Sequence, residues 1–144
     1  MRAAVTQYLL DTNVISETAR QEPNVQVLEW VRLLPSLRLP AITVYELAAG
    51  IRRVPVGRRR RFLEEWFADL MTSCDVLPLD RDGALACADL EATARQQKRV
   101  IEHRDLLILG IAKAHAFGVA TRNIAHFRGL NVPVYDPFAD VHAL

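Results

Sequence analysis

The chain has 144 residues, which fits one domain over 1–144, and its 51% apolar content is enough to fill a core. Charged residues make up 24% and the formal net charge is +1, so the overall charge indicates no partner. The longest strongly apolar run, 106–112, is far shorter than the ~20 residues that cross a membrane. The N-terminal apolar stretch ends at Asp11 without a cleavage site, so we expect a cytoplasmic protein with no membrane partner.

Short apolar strands alternate with helices along the chain. In order, the patterns predict a strand at 5–10, helices at 11–17 and 23–34, a strand at 37–42, helices at 43–54 and 58–72, a strand at 75–79, helices at 81–97 and 103–117, a strand at 119–121, a turn at 123–127 and a strand at 132–135. This alternation predicts an α/β three-layer sandwich, with a mainly parallel central sheet of short strands flanked by helices. In such sheets, ligands bind at the carboxyl ends of the strands.

Three acidic residues stand where an apolar segment meets a turn or a helix start. Asp11 follows the first strand, Glu46 lies one turn into the helix after the second strand, and Asp105 is in the first turn of the most apolar helix. A carboxylate beside a buried segment is costly unless something pairs with it. Three of them at one sheet edge suggest a shared divalent cation. Mg²⁺ or Mn²⁺ suits oxygen ligands, and such a metal beside a phosphate supports phosphodiester hydrolysis.

Each acid also has a purely structural explanation. Asp11 is placed to cap the helix that follows it. Glu46 stands three residues after Thr43, the spacing of a capping box. Asp105 meets the positive end of a helix dipole. A helix N-terminus explains one carboxylate at a time, whereas the convergence of three favours a shared site.

Four segments, in order, resemble the PIN domain and, within it, the VapC-type toxins of bacterial type II toxin–antitoxin systems. They are YLLDTNVIS at 8–16, PAITVYELAAGI at 40–51, RDLLILGIA at 104–112 and VATRNIAHF at 119–127, followed by a closing strand within 130–137. The resemblance implies a PIN-like fold and a Mg²⁺-dependent endoribonuclease that cleaves RNA as a homodimer and is blocked by a cognate antitoxin. Asp11 and Asp105 would then be the principal metal ligands, with Glu46 completing the acidic site.

The chain departs from the fullest family pattern at the position of a fourth acid. Many relatives have an acid where this chain has Asn123 or His126, so Asn123 would offer a carbonyl oxygen without charge, and His126 is a poor ligand for Mg²⁺. This leaves one-metal and two-metal chemistry open. The auxiliary candidates are the hydroxyls of Thr12 and Thr121, which could bind a carboxylate or a metal water, and Arg104 and Arg122, which could contact phosphate or form structural ion pairs.

Two other functions remain as alternatives. An aspartyl-phosphate phosphotransferase or receiver-type domain also places acids at strand ends. However, a receiver needs a Lys near the site, and Lys98 and Lys113 fall at no predicted strand end. A catalytically weak PIN-like binding module is the second alternative, and the missing fourth acid is its only motivation.

Overall fold

The computed structural model describes residues 6–139, which form five short strands with helices on both faces of the sheet. In chain order, the elements are β1 (Tyr8–Leu10), α1 (Thr12–Ile15), a 3₁₀ turn (Ser16–Ala19), α2 (Val25–Arg32), β2 (Leu37–Pro40), α3 (Ala41–Arg53), α4 (Arg58–Ser73), β3 (Cys74–Leu77), α5 (Arg81–Gln96), α6 (His103–Ala114), β4 (Gly118–Ala120), α7 (Ile124–Phe127) and β5 (Val134–Tyr135). The predicted α/β sandwich is therefore confirmed. The start predicted for the first strand, Val5, lies outside the described residues.

All the strand pairs formed within 6–139 are parallel. One ladder has the order β1-β4-β5, with Leu10 opposite Ala120 and Ala120 opposite Tyr135. A second ladder pairs β2 with β3, with Pro40 opposite Leu77, and β2 lies beside β1. The spatial order is thus β3-β2-β1-β4-β5. The carboxyl ends of β1, β2 and β4 share one edge of the sheet, where ligands of open α/β sheets bind.

Successive residues of the central strands enter opposite sides of the core, as the two-residue period of a strand requires. Leu9 of β1 packs in the apolar cluster formed with α5 and α6, whereas Leu10 packs in the cluster formed with α1 to α4. Val119 and Ala120 of β4 divide in the same way. The sheet is therefore buried on both faces, which explains why its strands are continuous apolar runs.

The start of α3 differs from the sequence expectation. The predicted strand 37–42 ends at Pro40, which is also the residue before the first turn of α3. Thr43 consequently lies inside the helix, fully buried, and its hydroxyl donates to the carbonyl of Leu10 at 3.1 Å. The prediction that Thr43 begins the helix and forms a capping box with Glu46 is wrong. The Thr43 side chain instead ties the start of α3 to the end of β1.

Helix α6 is the central helix of the sandwich, as its apolar sequence predicts, although it ends at Ala114 and not at 117. It packs closely on α5 at Gly110, where an added Cβ would lie 2.1 Å from Sγ of Cys87 and 2.8 Å from the carbonyl of Gly83. The absence of a side chain at Gly110 thus sets the separation of the two helices. Within residues 6–139, no helix has the length and apolar character that a bilayer crossing requires.

Candidate active site

The three predicted acids reach the carboxyl edge of the sheet from three separate elements. Asp11 directly follows β1; its amide donates to Ala120 at 2.9 Å, and its side chain is completely buried. Glu46 lies on the second turn of α3 and is half-buried. Asp105 lies in the first turn of α6, where it is buried at the positive end of the helix dipole. The fold therefore brings together side chains that are far apart in sequence.

The guanidinium group of Arg104 lies between the three carboxylates and binds all of them. Its Nε donates to Glu46 Oε2 at 2.6 Å, and its Nη1 donates to Asp105 Oδ1 at 2.8 Å. Its Nη2 donates to Glu46 Oε1 at 2.8 Å and to Asp11 Oδ1. Of the two roles that the sequence left open for Arg104, the structure shows the ion pair.

The electrostatics of this cluster follow from its geometry. Burial alone would raise the pKa of Glu46, but hydrogen bonds from Arg104 and Thr12, together with the charge of Arg104, hold that pKa below its ordinary value of 4.5. For Arg104 the directions are reversed, because its charged form is the protonated one. Burial lowers its pKa, but the hydrogen bonds to the three acids and the charge of Asp11 raise it, and the net effect is a raised pKa. Three carboxylates against one guanidinium group leave the cluster with an excess of two negative charges, so the site favours a cation.

Hydroxyl and amide groups hold the carboxylates in position. The Thr121 hydroxyl donates to Asp11 Oδ2 at 2.8 Å, and the Thr12 amide donates to Asp11 Oδ1 at 2.7 Å. The Thr12 hydroxyl donates to Glu46 Oε1 at 2.7 Å. Both threonines, predicted as auxiliary residues, thus orient acids of the site.

Asn13 is a site residue that sequence reasoning missed. Its side-chain Nδ2 lies 3.5 Å from both Asp11 Oδ2 and Thr121 Oγ1, and its Oδ1 accepts the Arg122 amide at 3.1 Å. The side chain therefore bridges the loops that follow β1 and β4. The signal available in the sequence was its position two residues after Asp11, within the first of the four PIN-like segments.

The remaining candidates lie at the margin of the cluster. Asn123 is exposed, and its hydrogen bonds within residues 6–139 are made by its backbone: its amide donates to Thr121 Oγ1 at 3.1 Å and its carbonyl accepts the His126 amide at 3.0 Å. His126 Nδ1 lies 3.2 Å from Asp105 Oδ2, with 56% of its side chain exposed. Arg122 places its guanidinium carbon 4.5 Å from the ring centre of Phe138 and is exposed. The structure thus brings His126 to the acids, while Asn123 and Arg122 stay outside the buried cluster.

The donor set fits a hard divalent cation. Carboxylate and hydroxyl oxygens are the ligands that Mg²⁺ and Mn²⁺ prefer, and the guanidinium group shows that the three acids already converge on one positive group. Among residues 6–139, no three His, Cys, Asp or Glu side chains are arranged closely enough to hold a metal ion. In this arrangement Arg104, and not a metal ion, lies between the acids.

A PIN domain model matches residues 8–129 of the chain, a span that contains every site residue described above. The chain belongs to the PIN domain family, as the order of its acidic motifs predicts.

Three curated relatives cover most of the chain. The plasmid stability protein StbB of Pseudomonas syringae pv. tomato is 41% identical over 90% of this chain and 97% of its own length. The VapC ribonuclease Y4jK of Sinorhizobium fredii is 37% identical over 90% of this chain and 96% of its own. The toxin FitB of Neisseria gonorrhoeae is 34% identical over 92% of this chain and 99% of its own length. The crystal structure of FitAcB from the same organism has a TM-score of 0.83 at 33% identity, covering 93% of this chain and 100% of that one.

Proposed function

We propose that this single PIN domain is a divalent-metal-dependent endoribonuclease and the toxin of a toxin–antitoxin pair. The observation that carries the proposal is the convergence of Asp11, Glu46 and Asp105, from three elements, on one positively charged group. PIN membership and similarity to proteins named VapC ribonuclease and toxin FitB support the choice of RNA as substrate and of toxin as role.

Mg²⁺, or Mn²⁺ in its place, is the proposed cofactor, with Asp11 and Asp105 as its main protein ligands and Glu46 completing the site. When bound, such a metal polarises a phosphoryl oxygen and lowers the pKa of a bound water. Neither effect requires a nucleophilic side chain from the protein.

The residues of the chain supply orientation. The Thr12 amide and the Thr121 hydroxyl each hold one oxygen of Asp11, so that carboxylate cannot rotate. The Thr12 hydroxyl fixes Glu46 from the neighbouring helix. Arg122 is exposed beside the loop that carries Thr121, and we propose it for contact with a substrate phosphate. A rigid set of oxygens with one basic group at its rim suits positioning of a phosphodiester.

The proposed partners are RNA, a cognate antitoxin that blocks cleavage, and a second copy of the chain in a homodimer. The resemblance to VapC-type toxins supports all three. A substrate of this kind would place the activity in the cytoplasm.

The test is RNA cleavage by the purified chain with Mg²⁺ and with excess EDTA. We expect EDTA to abolish cleavage and Asp11→Asn or Asp105→Asn to reduce it by at least about 100-fold, since loss of an outer partner alone typically costs 10–100-fold. The matched control is Asp82→Asn, because Asp82 is an exposed acid in the first turn of α5 and should leave the rate unchanged. Cleavage that survives EDTA and both site variants would refute the proposal.

A catalytically weak PIN-like binding module remains as a second candidate, and one observation favours it: Arg104 already pairs with all three acids. A titration that detects no Mg²⁺ or Mn²⁺ binding at millimolar concentration would support this candidate. Lys113 does not serve the receiver-type alternative, because it lies eight residues after Asp105 on α6, about 12 Å along the helix axis.

A further inference from the structure

Arg104 is hydrogen-bonded to all three acids of the cluster. All three of its side-chain nitrogens donate to the carboxylates, and between them they reach Asp11, Glu46 and Asp105. Charge-assisted bonds of this kind are roughly twice as strong as neutral ones. The side chain is 30% exposed, so Arg104 is in contact with solvent as well as with the acids.

A divalent cation would use the same oxygens at shorter range. Arg104 nitrogens lie 2.6 to 2.8 Å from the oxygens of Glu46 and Asp105, whereas Mg²⁺ binds its ligands at about 2.0–2.1 Å. Acids separated by a guanidinium group cannot also close around a small ion. Arg104 binds both oxygens of Glu46 and Oδ1 of Asp11 and of Asp105, so a cation shared by all three acids would compete with it for those oxygens.

We propose that Arg104 is an internal competitor of the metal: its guanidinium group must leave Asp11, Glu46 and Asp105 before a divalent cation can bind. This inference rests on the proposed function, since it takes the three acids as the metal site. Without metal, Arg104 is either docked on the acids or released, and the metal binds the released state. The measured association constant is the intrinsic one multiplied by the fraction of metal-free molecules in which Arg104 is released.

The competition predicts that removing the partly buried Arg104 lowers stability but strengthens metal binding. In Arg104→Gln the acids lose their counter-charge, so the metal-free protein should have a lower thermal midpoint. The same loss frees the acids for the metal, so the affinity for Mg²⁺ or Mn²⁺ should rise. A residue that only held the carboxylates in place would have the opposite effect on affinity, because its removal would disorder the ligands.

The experiment is calorimetric titration of Mn²⁺ and of Mg²⁺ into the metal-free wild type, Arg104→Gln and Arg122→Gln. We expect Arg104→Gln to bind about tenfold or more tightly and to show a larger rise of thermal midpoint on metal addition. Arg122→Gln is the matched control: it removes a positive charge near the site without freeing a carboxylate, and we expect less than a threefold change. Equal or weaker binding by Arg104→Gln overturns the competition. Absence of binding to the wild type and to Arg104→Gln alike overturns the metal site itself and, with it, the proposed function.

A measurement on the wild type covers the case in which Arg104→Gln fails to fold. The Nε–H of Arg104, which donates to Glu46 at 2.6 Å, gives an NMR signal that we expect to shift on titration with Mg²⁺. The midpoint of that shift should equal the midpoint of metal binding. A signal that stays unchanged at saturating metal would show that Arg104 remains docked, and would overturn the proposal.

Discussion

Arg104 and Glu46 form a two-pronged ion pair between α6 and α3, with Nε 2.6 Å from Oε2 and Nη2 2.8 Å from Oε1. Glu46 is the one acid of the three that binds two nitrogens of this guanidinium group. It is also the least buried of the three, so its charge is the most accessible to protonation from solvent. The pair therefore links the stability of the metal-free protein to pH.

The first prediction concerns how the free energy of unfolding changes at acid pH. The pKa of Glu46 is below 4.5 in the folded protein, so the folded state favours the ionised form. The stabilisation that ionised Glu46 gives the folded state should be fully present above the pKa of Glu46 in the unfolded chain, about 4.5. It should be lost as the pH falls from there through the lower pKa of the folded protein. Denaturant unfolding of the metal-free wild type and of Glu46→Gln should thus give free energies of unfolding that differ at pH 7 and converge at lower pH.

The matched control for this series is Glu64→Gln, because Glu64 forms an exposed pair with Arg60 on α4. Its difference from the wild type should be small throughout. A gap between the wild type and Glu46→Gln that keeps the same size from pH 7 to pH 3.5 would contradict the assigned role of the ion pair.

The second prediction concerns Thr121, whose buried hydroxyl donates to Asp11 Oδ2 at 2.8 Å. Thr121→Val keeps the shape but removes the donor, which should lower the free energy of unfolding by about 1.5–3 kcal/mol. Metal affinity and RNA cleavage should fall by roughly 10–100-fold because Asp11 loses its orienting partner. Calorimetry and a cleavage assay measure these effects. Thr93→Val is the control, because the Thr93 hydroxyl on α5 donates to the backbone carbonyl of Asp89 and not to an acid of the site; it should leave metal affinity and cleavage unchanged. Unchanged affinity and cleavage in Thr121→Val would argue against an orienting role.

The third prediction separates two asparagines. Asn13 reaches Asp11 and the loop after β4, whereas Asn123 is exposed and contributes its backbone amide. We expect Asn13→Ala to reduce cleavage by about tenfold, in the range for outer partners of metal ligands, and Asn123→Ala to reduce it less. Rates for both variants at saturating Mg²⁺ provide the comparison. A larger loss of cleavage rate in Asn123→Ala than in Asn13→Ala would contradict the prediction and assign Asn123 to the site in place of a fourth acid.

The fourth prediction tests the packing that positions α6. In Gly110→Ala the new Cβ would overlap Cys87 Sγ and the Gly83 carbonyl, so α5 and α6 must separate. Overpacking of this kind should lower the free energy of unfolding by about 1–3 kcal/mol. Gly50→Ala in α3 is the control: a Cβ there meets no atom within 4 Å, and alanine should stabilise the helix by about 0.5–1 kcal/mol. Thermal unfolding of both variants checks the prediction, and equal midpoints would contradict it.

The sequence predicts the layers of the fold and the meeting of the three acids because local patterns carry that information. Asp11 ends an apolar strand and Asp105 begins an apolar helix, so the parallel sheet brings them to one edge. Helix limits are less well determined. Pro40 ends β2 and also precedes the first turn of α3, so the helix begins two residues before Thr43.

Contacts between distant segments are what the sequence cannot give. Nothing local distinguishes an Arg104 that contacts a substrate from one that folds back on Glu46, 58 residues earlier, because the choice depends on distances set by three elements. The same limit applies to Asn13, whose partner Thr121 lies 108 residues later. Residue type and spacing identified the acids, but only the tertiary structure identifies the groups that hold them.

The pairing of β1 with β4 determines when the site can exist during synthesis. Asp11 is made early, but the strand beside it ends at Ala120 and the hydroxyl that orients it belongs to Thr121, 110 residues later. Such distant contacts form late because the chain between them must first be closed into a loop. A nascent chain therefore lacks a complete acidic site until Thr121 has been translated. For the proposed ribonuclease, this order delays RNA cleavage until the segment that carries Thr121 has been made and folded.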